Sequence, residues 1–169
     1  LIGGSLSLAL KEAGAVGEVI GCGRGKPNLE KAIELGVIDR YFRDPVEAVK
    51  DADVVFLATP VKTLASVTQE LLPGLKPGAI ITDGGSVKGA VAAAIDPLMP
   101  AGIHFVPGHP IAGTEKSGAE AAFPTLYRGK RCILTPTEKT NAEALALVEK
   151  MWQLAGSEVV QMSLEKHHF

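Results

Sequence analysis

A chain of 169 residues, 46% hydrophobic and 21% charged, can bury the core of one domain, or of one domain and the start of a second. A net charge of −2 gives no electrostatic footprint for nucleic acid, and no apolar run reaches the roughly 18 residues of a membrane span, which leaves small molecules and other proteins as partners. Cys22 and Cys132 lie far apart with no CxxC or Cys/His spacing, so two reduced thiols and a cytoplasmic setting are expected.

In chain order, LIGGSLSLAL opens with a glycine pair and leads into a helix expected over Ser5–Ala13. A strand over Glu18–Gly21, a helix over Asn28–Leu35 and a short helix over Val46–Lys50 follow. Next come the strand Asp53–Ala58, the helix Lys62–Leu72, the strand Ala79–Thr82, the helix Lys88–Leu98 and the strand Ile103–Val106. The strand Arg131–Leu134, the helix Asn141–Leu154 and the strand Glu158–Gln161 complete the series. Most of these strands are nearly continuous hydrophobics, as strands covered on both faces must be. Their alternation with helices predicts right-handed crossovers and an α/β, Rossmann-like, doubly wound and mostly parallel sheet. No strand precedes the opening glycine pair, and MSLEKHHF reads as a helix starting at Ser163. A longer protein is therefore expected, with residues 1–162 forming one domain and 163–169 opening another.

Ligands of such sheets bind beyond the carboxyl ends of the strands, so the loops after each apolar run carry the chemistry. Gly3, at the entry to the first helix, fits the last glycine of a dinucleotide fingerprint, where it allows close helix-to-strand packing, although a plain turn has the same composition. After the strand Glu18–Gly21, GCGRGKPN places Gly23 where NAD enzymes hold an acid, followed by Arg24 and Lys26. Arg24 could grip a 2′-phosphate through a charge-assisted fork, which favours NADP slightly over NAD; the alternative is a solvated basic turn. ATPVK offers Thr59 at the switch point beside the fingerprint loop of Gly3 and Pro60 as a strand stop. TDGGSVKG sets Ser86 at a helix start, where capping and ligand contact are compatible.

The fifth loop, FVPGHPIAGTEKSG, spans residues 105–118 and places His109 between Gly108 and Pro110, on backbone that reads as neither helix nor strand. A near-neutral imidazole aimed from irregular backbone over a rigid sheet can accept a proton. His104, His167 and His168 read as solvated.

LIGGS, ATPV, DGGSVK, HPIAGTEKSG and LTP, in this order and spacing, resemble the prephenate and arogenate dehydrogenases of tyrosine biosynthesis across essentially the whole chain. The resemblance implies a nucleotide-binding domain followed by a helical domain that forms a homodimer. It implies oxidative decarboxylation, in which hydride passes from the hydroxyl-bearing ring carbon to NAD(P)+, carbon dioxide departs and the ring becomes aromatic. His109 then matches the group that polarises or deprotonates the ring hydroxyl, and Ser86 matches the serine that bonds both. Glu115 matches an acid near the site entrance, Thr114 lies beside it as a polar contact, and Gly3, Thr59 and Pro60 map onto cofactor contacts. The alternatives are a different dehydrogenase of the same fold, and a non-catalytic dinucleotide sensor, which would need neither Ser86 nor His109.

Overall fold

The computed structural model describes residues 2–23, 25–85, 88–111, 122–164 and 166. Helix α1 (Ile2–Glu12) precedes β1 (Ile20–Cys22), α2 (Lys26–Glu34) and β2 (Arg40–Phe42), and β1 and β2 pair in parallel. The chain continues through α3 (Pro45–Val49), β3 (Val54–Leu57), α4 (Leu64–Leu71), β4 (Ile80–Asp83), α5 (Lys88–Ile95) and β5 (His104–Val106). Strands β3, β4 and β5 form one parallel ladder in that order. Then β6 (Gly108–Pro110) runs antiparallel to β7 (Arg131–Leu134), which pairs in parallel with β8 (Glu158–Gln161) after α6 (Ala142–Leu154). The architecture is the α/β, doubly wound, mostly parallel one that the alternation predicts. No helix among the described residues is long and apolar enough to cross a membrane.

Two strands depart from the sequence reading. Arg40–Phe42 is a strand that a charged, three-residue run does not announce. Gly108–Pro110, expected to be neither helix nor strand, is also one: His109 sits in the middle of β6, opposite Ile133. The flanking Gly and Pro are poor strand formers, but β7 supplies the pairing that local propensity does not. A single proline, Pro107, separates β5 from β6, and its carbonyl accepts from Thr135 N–H at 3.2 Å, so pairing passes from the first ladder to the second. The helix expected from Ser5 begins earlier and takes in Gly3 and Gly4. The long helices expected after β3 and β4 end in single 3-10 turns, at Leu72–Gly74 and Asp96–Leu98. Each of these turns contains a proline at its second position, where the helical hydrogen bond cannot continue.

The sheet lies between two helical layers. On one face Leu6, Ala9 and Leu10 of α1 and Ala144, Val148 and Trp152 of α6 pack with Ile80, Val106 and Leu134. On the other, Leu64 and Leu71 of α4 and Val91 and Ile95 of α5 cover Leu57, Ile81 and Phe105. The spacing of four in Ala144, Val148 and Trp152 puts all three on one stripe of α6, and all three are buried. Asn141 starts that helix, accepting the Ala144 N–H on its side-chain oxygen at 2.9 Å. Asn141→Ala should therefore cost about 1 kcal/mol and lower Tm by about 2–4 °C in a thermal melt.

Candidate functional site

Strand register determines which loops meet. Leu57 pairs with Asp83 and Thr82 with Val106, so β3, β4 and β5 end level, and residues 58–60, 84–85 and 107–109 emerge from one edge. At a strand spacing of about 4.8 Å, the ends of β3 and β5 lie about 10 Å apart, within the reach of one small molecule.

The first turn of α1 closes one side of that edge. A Cβ added at Gly3 would lie 3.4 Å from Ala58 Cβ and 3.7 Å from Phe56 Cδ1, in ordinary contact, so the first turn of the helix rests on the end of β3. The unsatisfied N–H groups and positive dipole of the α1 N-terminus thus sit beside the Ala58–Pro60 loop. Thr59 and Pro60 are both exposed there, and the Pro60 carbonyl accepts from both the N–H and the hydroxyl of Thr63, at 2.9 and 2.8 Å, which fixes the turn into α4. Gly3, Thr59 and Pro60 are thereby brought together.

At the end of β1, Cys22 is exposed and Gly23 half-buried. Partial burial pushes the Cys22 thiol up, and the negative charges of Asp44 and Glu70 push it in the same direction. Lys26, the second basic residue of the expected turn, opens α2 and pairs with Glu30 at 3.9 Å on the surface. Arg24, Ser86, Thr114 and Glu115 lie outside the described residues, as does Lys116. Their neighbours are described: Gly85 and Lys88 flank Ser86, and the segment bearing Thr114 and Glu115 leaves the chain's described part at Ile111 and rejoins it at Ala122. Ala122 meets the α1 entry, because a Cβ added at Gly4 would lie 3.0 Å from Ala122 Cβ, and Phe123 N–H donates to the buried Ser5 hydroxyl at 3.1 Å.

His109 is half-buried in β6 at the same edge. Beneath it is a polar group that sequence reading missed. Asp83 and Lys88 have fully buried side chains and form an ion pair. The Asp83 carboxylate also accepts from Gly85 N–H on Oδ2 at 3.0 Å and from Gly108 N–H on Oδ1 at 3.1 Å. Burial pulls the Lys88 ammonium below the ordinary lysine range, while the Asp83 charge and hydrogen bond pull the other way. The Cys132 thiol, opposite Pro110, is pushed up to about 12, mainly by burial. The signal was present in DGGSVK as opposite charges five residues apart at a strand end, but an acid after an apolar run reads as a surface turn.

Alkylation should discriminate the two thiols: Cys22 reacts slowly in the native protein, and Cys132 only after unfolding. Mass mapping of iodoacetamide adducts with and without denaturant checks this. A separate cavity of about 320 Å³, lined by Asp96, Met99, Gly102, His104 and Lys139, lies at the start of β5 and so at the opposite edge of the sheet.

These features match known proteins. A family model described as the prephenate dehydrogenase nucleotide-binding domain matches residues 6–161. The prephenate dehydrogenase of Bacillus subtilis is 36% identical over 168 residues, 99% of this chain and 45% of that protein. A crystal structure of Aquifex aeolicus prephenate dehydrogenase in complex with hydroxyphenyl propionate and NAD+ is 38% identical, with a TM-score of 0.91 over 98% of this chain and 58% of that one. The Synechocystis arogenate dehydrogenase structure is 34% identical, with a TM-score of 0.90 over 99% of this chain and 58% of that one. The chain therefore spans about half the length of these relatives. From its motifs, its fold and the match over residues 6–161, the chain belongs to the prephenate dehydrogenase nucleotide-binding domain family.

Proposed function

We propose that residues 1–162 are the dinucleotide-binding domain of a prephenate or arogenate dehydrogenase, which oxidatively decarboxylates its substrate with NAD(P)+. The observation that carries this reading is the convergence at one sheet edge of the Ala58–Pro60 loop and His109, which follow strand register, and of the α1 N-terminus, which packs on Ala58 and Phe56. A dinucleotide fits this edge: Gly3 has no side chain between helix and strand, and unpaired N–H groups at a helix N-terminus suit a pyrophosphate. When bound, the dinucleotide supplies the hydride acceptor. Gly3, Thr59 and Pro60 would hold it, with Arg24 at its ribose end.

The chain's own residues handle the proton. His109 accepts it from the ring hydroxyl as the carbonyl forms, and Ser86 bonds both groups and keeps the imidazole oriented. Thr114 and Glu115, which follow β6 in the chain, contact the substrate. Loss of carbon dioxide and aromatisation supply much of the driving force, so positioning is the protein's main contribution. A helical domain following residue 162 would complete the site and form a homodimer.

The reaction fixes its own test. Adding prephenate or arogenate to the native full-length protein with NAD(P)+ should release carbon dioxide and reduced cofactor in equal amounts. Reduced cofactor without carbon dioxide would point to a different dehydrogenase, and neither product to a sensor.

For the cofactor, Gly23 and Arg24 favour a 2′-phosphate, and hence NADP. The second reading, NAD, is favoured by Asp44 and Glu70, whose charge is felt at Cys22 beside the same turn. A lower KM for NADP+ supports the first and a lower KM for NAD+ the second. Either dinucleotide should slow Cys22 alkylation, because Cys22 ends the strand next to the adenosine ribose site.

A further inference from the structure

We propose that the buried Asp83–Lys88 pair is a positioning device, in which a single carboxylate fixes both the strand that carries His109 and Gly85, the residue directly before Ser86. Its kinetic consequence rests on the dehydrogenase reading, whereas its geometric consequence does not.

Asp83 closes β4 and Lys88 opens α5, and neither side chain is exposed. Both carboxylate oxygens are engaged. Oδ1 takes the N–H of Gly108, the residue directly before His109, at 3.1 Å. Oδ2 takes the N–H of Gly85, the residue directly before Ser86, at 3.0 Å, together with the Lys88 ammonium. In the chain Ser86 thus follows Gly85 directly and precedes Lys88 by two positions, and both of these neighbours are held by the same carboxylate.

The strand is pressed onto this anchor. A Cβ at Gly108 would lie 3.1 Å from the Asp83 carbonyl oxygen and 3.3 Å from Leu134 Cδ2, tighter than ordinary contact, so glycine lets the strand sit close over the carboxylate without displacing its neighbours. One residue on, the His109 N–H faces the Cys132 sulfur, a thiol that burial keeps protonated and that lies close enough to feel both Asp83 and Lys88.

A buried ion pair is a poor choice for stability alone, since apolar residues of the same volume often serve as well or better. What apolar residues cannot do is accept two backbone N–H groups from separate segments. That capacity belongs to the carboxylate, and Lys88 supplies its counter-charge where neither side chain is exposed. A misplacement of about 1 Å at a reacting group can cost about 10²-fold in rate, so the anchor bears directly on His109 and Ser86.

The test compares Asp83→Asn with the double variant Asp83→Asn/Lys88→Met in the native full-length protein. The double variant removes both buried charges, so loss of an ion pair no longer threatens folding, yet an amide group now faces a backbone donor. The expected result is a folded double variant with Tm near wild type, dinucleotide Kd within about twofold, kcat at least about 10-fold lower and shifted His109 ring resonances. Wild-type kcat, or unmoved His109 resonances, in a folded variant would overturn the positioning role and leave a purely structural pair.

If the wild-type protein turns over neither substrate, the dehydrogenase reading fails and the ring resonances alone decide. Should neither variant fold, hydrogen exchange in the wild type decides. Gly85 and Gly108 amides that exchange together, at least about 10²-fold slower than free amides, support a shared anchor, and fast or unlinked exchange refutes it.

Discussion

His109→Asn should lower kcat by about 10²-fold or more in the native full-length protein, with dinucleotide affinity within about twofold and Tm little changed. Asparagine retains a polar side chain of similar size but has no nitrogen that takes up a proton near neutral pH. The β6–β7 pairing is made by backbone groups, which the substitution leaves intact. The loss should therefore fall on the chemical step and leave binding and folding nearly unchanged. Steady-state kinetics paired with a fluorescence titration of the dinucleotide separates these effects. Turnover near wild type would remove the proton-accepting role from residue 109 even if the cofactor still binds.

The largest loss of stability is expected at Trp152. Its side chain is fully buried on α6 and meets Tyr127 edge-on, with ring centroids 5.0 Å apart and planes at 81°, and Phe56 at 6.0 Å and 68°. These rings link α6 to β3 and to the segment before β7. Trp152→Ala should cost about 3–5 kcal/mol, read as a lower midpoint in urea at an unchanged slope. Trp152→Phe gives a sharper comparison. The indole Nε1 is buried and has no hydrogen-bond partner among the described residues, so phenylalanine keeps an aromatic face and removes an unsatisfied donor. The Phe variant should stay within about 1.5 kcal/mol of wild type, while a loss as large as alanine's would show that indole volume dominates.

The alternation of elements was legible because DVVFLA and AIIT are apolar enough to mark strands covered on both faces, and because Ala144, Val148 and Trp152 recur at helical spacing. Arg40–Phe42 was not legible: its three residues include a charge, and its strand character comes from pairing with Ile20–Cys22. Gly108–Pro110 hid behind two strand-breaking residues, and only β7, more than 20 residues downstream, makes it a strand. The chemistry of the site followed the same division. His109, Thr59, Pro60 and Gly3 stood out through residue type and position after apolar runs, and the structure sets them along one edge. Asp83 and Lys88 did not, because a charged residue next to a Gly-Gly turn reads as solvated. Their burial belongs to the tertiary fold, in which Gly108, distant in sequence, donates its N–H to Asp83.

The most direct test of the central claim is a crystal structure of the native full-length protein with a dinucleotide and a substrate analogue. The His109 imidazole and the nicotinamide should lie on the same side of the carboxyl edge of β3–β5, with a ring nitrogen about 3 Å from the analogue's hydroxyl. An imidazole and a nicotinamide on opposite faces of the sheet would contradict it.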